Sequence, residues 1–122
     1  SILVFAFMFR FDHASYATFL PKSITTAIGI GVSEELGGYV AVTVVVIIIT
    51  GVIGNIFAEK FLKLLKITEP VAKGIAIGSS SHAIGTTKAM EMGAVEGAMS
   101  SLSIVVSGIL TVVAASLFAG II

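Results

Sequence analysis

An uncharged run of nineteen residues, Tyr39–Phe57, limits this chain to a membrane setting. At about 1.5 Å of rise per residue, a helix of this length crosses the hydrocarbon core of a bilayer. Val and Ile fill the run and are poor helix formers in water, but lipid forces each backbone polar group to be satisfied within its own segment. Over the whole chain 57% of residues are hydrophobic and 11% are charged. We therefore predict an all-α integral membrane protein.

The rest of the composition limits the function. The formal net charge is zero, so nothing indicates a nucleic-acid partner, and there is no cysteine for disulfide or thiol chemistry. Ala94–Ile122 is predicted to be a second full transmembrane helix, because Glu96 is its only charged residue. Apolar runs reach both ends, so we interpret residues 1–122 as a single membrane domain that is a fragment of a larger protein.

Glu69–Met92 reads EPVAKGIAIGSSSHAIGTTKAMEM and differs from these long runs. Two apolar pieces of about ten residues, each too short to cross a bilayer, flank three serines and a histidine, Ser79–His82. Polar side chains and free backbone groups are tolerated at membrane depth only where they line a cavity or are buried in protein. The segment is therefore predicted to be a discontinuous helix.

The same order of residues occurs 56 positions earlier, where Lys22–Gly29 corresponds to Gly78–Gly85. Both segments contain a polar break followed by Ala-Ile-Gly, and a full apolar helix follows each of them. We predict two internal repeats, each a broken helix followed by a full transmembrane helix. Residues 14–58 form repeat 1, residues 59–68 a basic linker and residues 69–122 repeat 2.

Two topologies remain open at this point. If each broken segment is a re-entrant hairpin, each repeat crosses once and the two repeats are inverted. If the broken segments cross the membrane, the number of membrane crossings depends on whether Glu59–Lys73 also crosses. That segment alternates lysines with apolar residues, so we interpret it as an interfacial segment or loop, cytoplasmic by the positive-inside rule.

The two breaks supply the candidate binding groups. Lys22 is either a cation that meets a substrate carboxylate or a lysine that extends to the interface. The hydroxyls either cap broken helices or, with free N–H groups of half-helix N-termini, bind an anion. The candidate substrate-binding residues are Lys22, Ser23, Thr25, Thr26, Ser79, Ser80, Ser81, His82, Thr86 and Thr87.

Three residues are candidates for proton coupling. His82 could carry a proton near neutral pH, or simply hydrogen-bond a neighbouring helix. Glu35 and Glu91 occupy equivalent repeat positions and are either relay carboxylates or charges at helix ends. No nucleophile elbow accompanies the serines, and the histidines lack carboxylates at ligand spacing, so we expect no enzymatic activity, metal or cofactor.

The motifs PKSITTAIG, ITGVIGNIF and GIAIGSSSHAIGTTKAMEMG resemble the LrgB family over Leu20–Ile122. The family pattern has proline and a second hydrophobic residue where this chain has Ala27-Ile28, a departure that touches no polar position. The resemblance implies a multi-pass protein, which we place in the bacterial plasma membrane. It also implies a small LrgA- or CidA-like membrane partner, and we expect a homo-oligomer.

The resemblance and the breaks leave three hypotheses. The first is a carrier of small carboxylates such as glycolate, glycerate or pyruvate, with its site between the broken segments. The second is an antiholin-like regulator of murein hydrolase export and autolysis, for which partner contacts matter more than a substrate site. The third is a structural subunit. Paired polar breaks at membrane depth favour the carrier, because a modulator does not require them.

Overall fold

The computed structural model describes residues 2–121, which form helices joined by short connections. In chain order the helices are α1 (Ile2–Phe9), α2 (His13–Phe19), α3 (Thr26–Glu35), α4 (Val40–Leu64), α5 (Pro70–Met92) and α6 (Ala94–Ala119). The prediction of an all-α protein is confirmed over these residues.

Local sequence signals fix where two of the helices begin. The Asp12 carboxylate accepts a hydrogen bond from the Ser15 backbone N–H at 3.1 Å and caps α2. Glu69 caps α5 in the same way, with 2.8 Å to the Ala72 N–H. Pro70 takes the first position of α5, where its missing N–H leaves no hydrogen bond unmade.

The outer surfaces of α4 and α6 are apolar and exposed. Both helices are long and apolar enough to cross a membrane, and only 17% of the most apolar window of each is buried within the described residues. A core helix of a soluble protein would be largely buried, so these surfaces fit contact with lipid.

The helix α5 is interrupted at His82, whose backbone has φ 43° and ψ −142°. Both of its arms, residues 70–81 and 83–92, pack against the first turns of α6. Gly74 and Gly78 in the first arm lie against the backbone of Ser100. In the second arm, Thr86 hydrogen-bonds Ser100. Since both arms reach the same stretch of α6, α5 folds back on itself at His82.

The pair α2–α3 also folds back on itself. The His13 Nε2 atom at the start of α2 donates to the Leu36 carbonyl oxygen at the end of α3, at 3.1 Å. Thr43, near the start of α4, hydrogen-bonds the Thr18 carbonyl of α2 at 3.0 Å and Ser33 of α3 at 2.7 Å. The open end of this pair therefore lies beside the N-terminal end of α4.

The open end of α5 lies at the other end of α4. Lys88 in its second arm forms an ion pair of 2.9 Å with Glu59, and Met90 packs against Gly97 of α6. Thus α4 ends where α6 begins, and the two long helices run in opposite directions. The two folded-back pairs approach the middle of α4 from opposite ends.

The first long helix extends beyond its predicted end. The uncharged run ends at Phe57, and Glu59–Lys73 was predicted to be an interfacial segment or loop, but residues 59–64 continue α4. Glu, Lys, Phe and Leu fill this stretch, and none of them breaks a helix. The helix ends only where Lys66 adopts φ 56°.

Gly78 tests the close packing of α5 on α6. A Cβ atom there would overlap the backbone of Ser100, with its carbonyl carbon at 2.8 Å, and backbone cannot move aside. Gly78→Ala should destabilise the protein by about 1–3 kcal/mol, measured by thermal unfolding in detergent.

The matched control is Gly31→Ala in α3, where nothing lies within 4 Å of the added Cβ. Alanine there should stabilise the helix by about 0.5–1 kcal/mol. Equal unfolding midpoints for the two variants would contradict the described packing.

Candidate functional site

Groups from both breaks line one cavity of about 430 Å³ beside α4. Lys22 contributes the ammonium group from the α2–α3 connection, and Ser80 and Ser81 contribute hydroxyls from α5. The other walls are mainly apolar, with Ile53 and Phe61 of α4 among them. One liquid water occupies about 30 Å³, so the cavity has room for a small organic anion together with water.

The α2–α3 connection fixes the position of Lys22. Pro21 is buried and ends α2, and the Lys22 backbone N–H donates to the Phe19 carbonyl at 3.1 Å. The Lys22 side chain is half-buried, and its Nζ atom donates to the Ser23 hydroxyl at 2.7 Å. An ammonium group has three N–H donors, so two remain for a ligand in the cavity.

The serines of α5 point in different directions. Ser80 donates its hydroxyl proton to the Ala76 carbonyl at 2.6 Å and lies 3.2 Å from the Ser81 hydroxyl. Both oxygens can still accept hydrogen bonds in the cavity. Ser79 donates to the Ile75 carbonyl at 2.7 Å and lies in a separate groove against α6, beside Ser103.

His82 is only 2% exposed and connects α5 to α4. Its Nε2 atom lies 2.9 Å from the Ile47 carbonyl oxygen. A carbonyl only accepts, so Nε2 carries the hydrogen and Nδ1 is the nitrogen that can take up a proton. Beside the ring, Gly51 leaves the room it needs, because a Cβ there would lie 2.7 Å from the imidazole. The Gly51-x-x-Gly54 face of α4 packs closely against α5.

Buried hydroxyl pairs bind each fold-back to a long helix. Thr86 and Ser100 lie 2.7 Å apart, and Ser33 and Thr43 also lie 2.7 Å apart. Beside them, Asn55 of α4 donates to the Ile84 carbonyl at 2.8 Å. The two hydroxyl pairs are buried, so their bonds satisfy polar groups that have no access to water, and all three contacts hold the site in place.

The remaining predicted residues lie outside the Lys22 cavity. Thr25 precedes α3 without a side-chain cap bond, and Thr26 is the first residue of that helix. Thr87 donates to the Ile84 carbonyl at 2.8 Å. Glu35 is exposed at the end of α3, and exposed Glu91 pairs with Lys88 at 3.3 Å. Both glutamates therefore lie at helix ends, as the interpretation of them as helix-end charges predicts.

The buried carboxylate of the chain was not among the candidates. Only 9% of Glu96 is exposed, whereas the sequence analysis treated it simply as the single charge in a long apolar segment. A charge inside such a segment is itself a signal of function, and that signal would have selected Glu96. The hydroxyls of Thr43 and Ser100 carry no comparable signal, because isolated Ser and Thr are common in membrane helices.

Two exposed apolar helices and an interrupted helix with a buried histidine fit the class of helical membrane proteins. The particular family follows from comparison with known proteins: the model of the LrgB-like family matches residues 1–121, and the chain belongs to this family. It is 44% identical over 108 residues to the Bacillus subtilis protein YxaC, which is described as uncharacterized.

That alignment covers 88% of this chain and 47% of YxaC, so the chain spans about half the length of this curated relative. No solved structure matches the chain significantly.

The backbone conformation of His82 predicts an unusual order of stability for the glycine and alanine variants at this position. Its φ and ψ lie in a region that glycine adopts freely and other residues adopt at a cost of about 1–3 kcal/mol. Both His82→Gly and His82→Ala lose the bond to Ile47, but only alanine retains the backbone strain. We expect unfolding midpoints in the order wild type, glycine, alanine. An alanine variant more stable than the glycine variant, as in a regular helix, would contradict the fold-back.

Proposed function

We propose that this protein is a carrier of small carboxylates such as glycolate, glycerate or pyruvate. The observation that carries the proposal is the convergence of Lys22 with Ser80 and Ser81 in one cavity beside α4. A carboxylate leaving water loses solvation worth several kcal/mol, which a fixed ammonium group and hydroxyls can replace. The mostly apolar walls suit the carbon skeleton of such an anion.

We further propose that residues 14–58 and 69–122 are inverted repeats. Reciprocal contacts support this: Gly51 of α4 packs against Ile84, and Gly108 of α6 packs against Ile28. Ile28 and Ile84 are equivalent at an offset of 56 residues, and Gly51 and Gly108 at an offset of 57. Reciprocal contacts between equivalent patches are the mark of a two-fold relation.

The buried faces of the long helices support the same relation. Four buried positions of α4 have buried equivalents in α6 at the offset of 57 residues. The pairs are Thr43 with Ser100, Gly51 with Gly108, Ala58 with Ala115, and Leu62 with Ala119. Since α4 and α6 run in opposite directions, the repeats are inverted rather than parallel.

In the proposed topology α4 and α6 cross the membrane, and the two fold-backs are re-entrant from opposite sides. The basic residues 59–73 then lie at the cytoplasmic face of a bacterial plasma membrane, in agreement with the positive-inside rule. Glu35, at the open end of the α2–α3 pair, lies on the opposite side.

Single cysteines test this topology, because the chain has none of its own. Lys63→Cys should be shielded from an impermeant thiol reagent added outside intact cells, and Glu35→Cys should react. Labelling of both residues from the same side would rule out opposed re-entrant segments.

In the carrier, we assign His82 to proton coupling. Its Nδ1 can take up a proton while Nε2 holds the Ile47 carbonyl, so a charge can appear beside the cavity without breaking the contact between helices. An imidazole that takes up and releases a proton in this way couples anion movement to a proton gradient.

Removal of the Lys22 charge tests the carrier directly. Lys22→Met should lower uptake of labelled glycolate, glycerate and pyruvate into proteoliposomes by about tenfold or more, since a charge-assisted hydrogen bond contributes about 1.5–3 kcal/mol. Lys22→Arg should retain more activity, because it keeps the charge while altering the donor geometry.

The control for this experiment is Lys60→Met, the same chemical change on the part of α4 outside the cavity, where the ammonium group lies over Phe57. If Lys22→Met inserts into the membrane normally and transports normally, the carboxylate site does not lie in this cavity.

The antiholin-like regulator is the alternative function. Substitutions at Gly51, Gly54 and Gly108 do not distinguish the two functions, because these glycines pack inside the chain and a substitution there would affect either function. Loss of autolysis control with normal carboxylate uptake in Lys22→Met would favour the regulator. A homo-oligomer or a small LrgA- or CidA-like partner would pack on the exposed apolar faces of α4 and α6 under either function.

A further inference from the structure

A second cavity, of about 550 Å³, lies where α4 ends and α5 and α6 begin. It differs from the Lys22 cavity because five of its lining residues are charged. They are Glu59, Lys63, Lys66, Lys73 and Glu96. Its apolar wall includes Leu62, Ile67 and Met92. We call it the basic cavity.

The basic cavity carries uncompensated positive charge. Within residues 2–121, Lys63, Lys66 and Lys73 have no carboxylate oxygen within 4 Å. Glu59 forms its 2.9 Å ion pair with Lys88, which does not line the cavity. Three lysines without an ion-pair partner among the described residues therefore line one cavity, which gives it a net positive charge.

The position of Lys66 reinforces this arrangement. The Ile67 N–H donates to the Leu62 carbonyl at 2.9 Å and the Lys66 N–H donates to the Lys63 carbonyl at 3.1 Å, which together form a Schellman ending of α4. In this motif Lys66 has φ 56°, a conformation that glycine adopts without steric strain. A lysine stands at this position despite the strain, and its ammonium group lies at the cavity.

Glu96 adds an acceptor to the same cavity. The residue is 9% exposed and lines the cavity, and within the described part of the chain its carboxylate has no hydrogen bond or ion pair. Its oxygens can therefore accept a hydrogen bond from a donor group on a ligand bound in the cavity.

From these groups we propose that the basic cavity binds a phosphate group that carries a neighbouring hydroxyl or ammonium donor. The lysines hold the phosphate, Glu96 accepts from the donor, and Leu62, Ile67 and Met92 contact the apolar part of the ligand. The cavity lies at the end of a membrane-spanning helix, so a lipid headgroup and a soluble phosphate ester are both chemically suitable. The proposal is independent of carboxylate transport.

Ligand-dependent thermal stability of the purified chain in detergent tests the proposal, because a ligand that binds the folded state raises the unfolding midpoint. The probes are dioctanoyl phosphatidylglycerol, glycerol 3-phosphate and dioctanoyl phosphatidylcholine. A rise with the first probe alone identifies a lipid headgroup, and an equal rise with glycerol 3-phosphate identifies a soluble ester. No rise with either, or an equal rise with phosphatidylcholine, would overturn the proposal.

Matched lysine variants locate the binding. Lys66→Gly removes one charge and relieves the backbone, so the ligand-free midpoint should hold or rise while affinity for the phosphate probe falls about fivefold. Lys60→Gln removes a charge from the same end of α4 outside the cavity and should bind normally. An equal loss in Lys60→Gln would show general surface attraction and overturn the site.

Glu96→Gln tests the acceptor. With the carboxylate present, phosphatidylglycerol should bind more tightly than phosphatidic acid, which lacks the hydroxyl donor. The variant should lose most of this preference, because an amide oxygen accepts a weaker hydrogen bond and repels the phosphate less. An unchanged preference would reject the assigned role of Glu96.

Discussion

The fold depends on covering interrupted backbone where water is absent. A helix break in lipid exposes N–H and C=O groups that cost several kcal/mol each unless protein satisfies or buries them. In this chain glycines allow neighbouring helices to bury the interrupted backbone of α5. Gly51 and Gly54 let α5 lie directly on α4, and Gly74 and Gly78 let it lie on α6. His82 then reaches the Ile47 carbonyl at 2.9 Å. Without these close approaches the fold-back would be left partly unsatisfied.

The sequence predicted the long elements and the interruptions better than it predicted their packing. The run Tyr39–Phe57 and the serines before His82 are strong local signals, because length and polarity at membrane depth are read directly. The continuation of α4 to Leu64 was missed, since lysines at an interface suggest a boundary although they are good helix formers. Which long helix each fold-back contacts depends on positions distant in the sequence.

The candidate site was predicted in outline only. Lys22, Ser80 and Ser81 share a cavity, but Thr25, Thr26 and Thr87 lie elsewhere, because a hydroxyl in a break can serve its own helix as readily as a ligand. The charge of Glu96 in an apolar segment was visible in the sequence, but its burial arises from contacts that local sequence cannot show. Its carboxylate lies over Gly93, and Gly74 of α5 packs against its backbone carbonyl.

The proposed repeat relation between the two halves makes their differences informative. At the offset of 56 residues, Lys22 is equivalent to Gly78 and His82 is equivalent to Thr26. The packing residues correspond between halves, whereas the two ionisable groups have no counterpart. An asymmetric pair, with a cation in one break and a titratable imidazole in the other, suits a carrier that must bind an anion and exchange a proton at separate points.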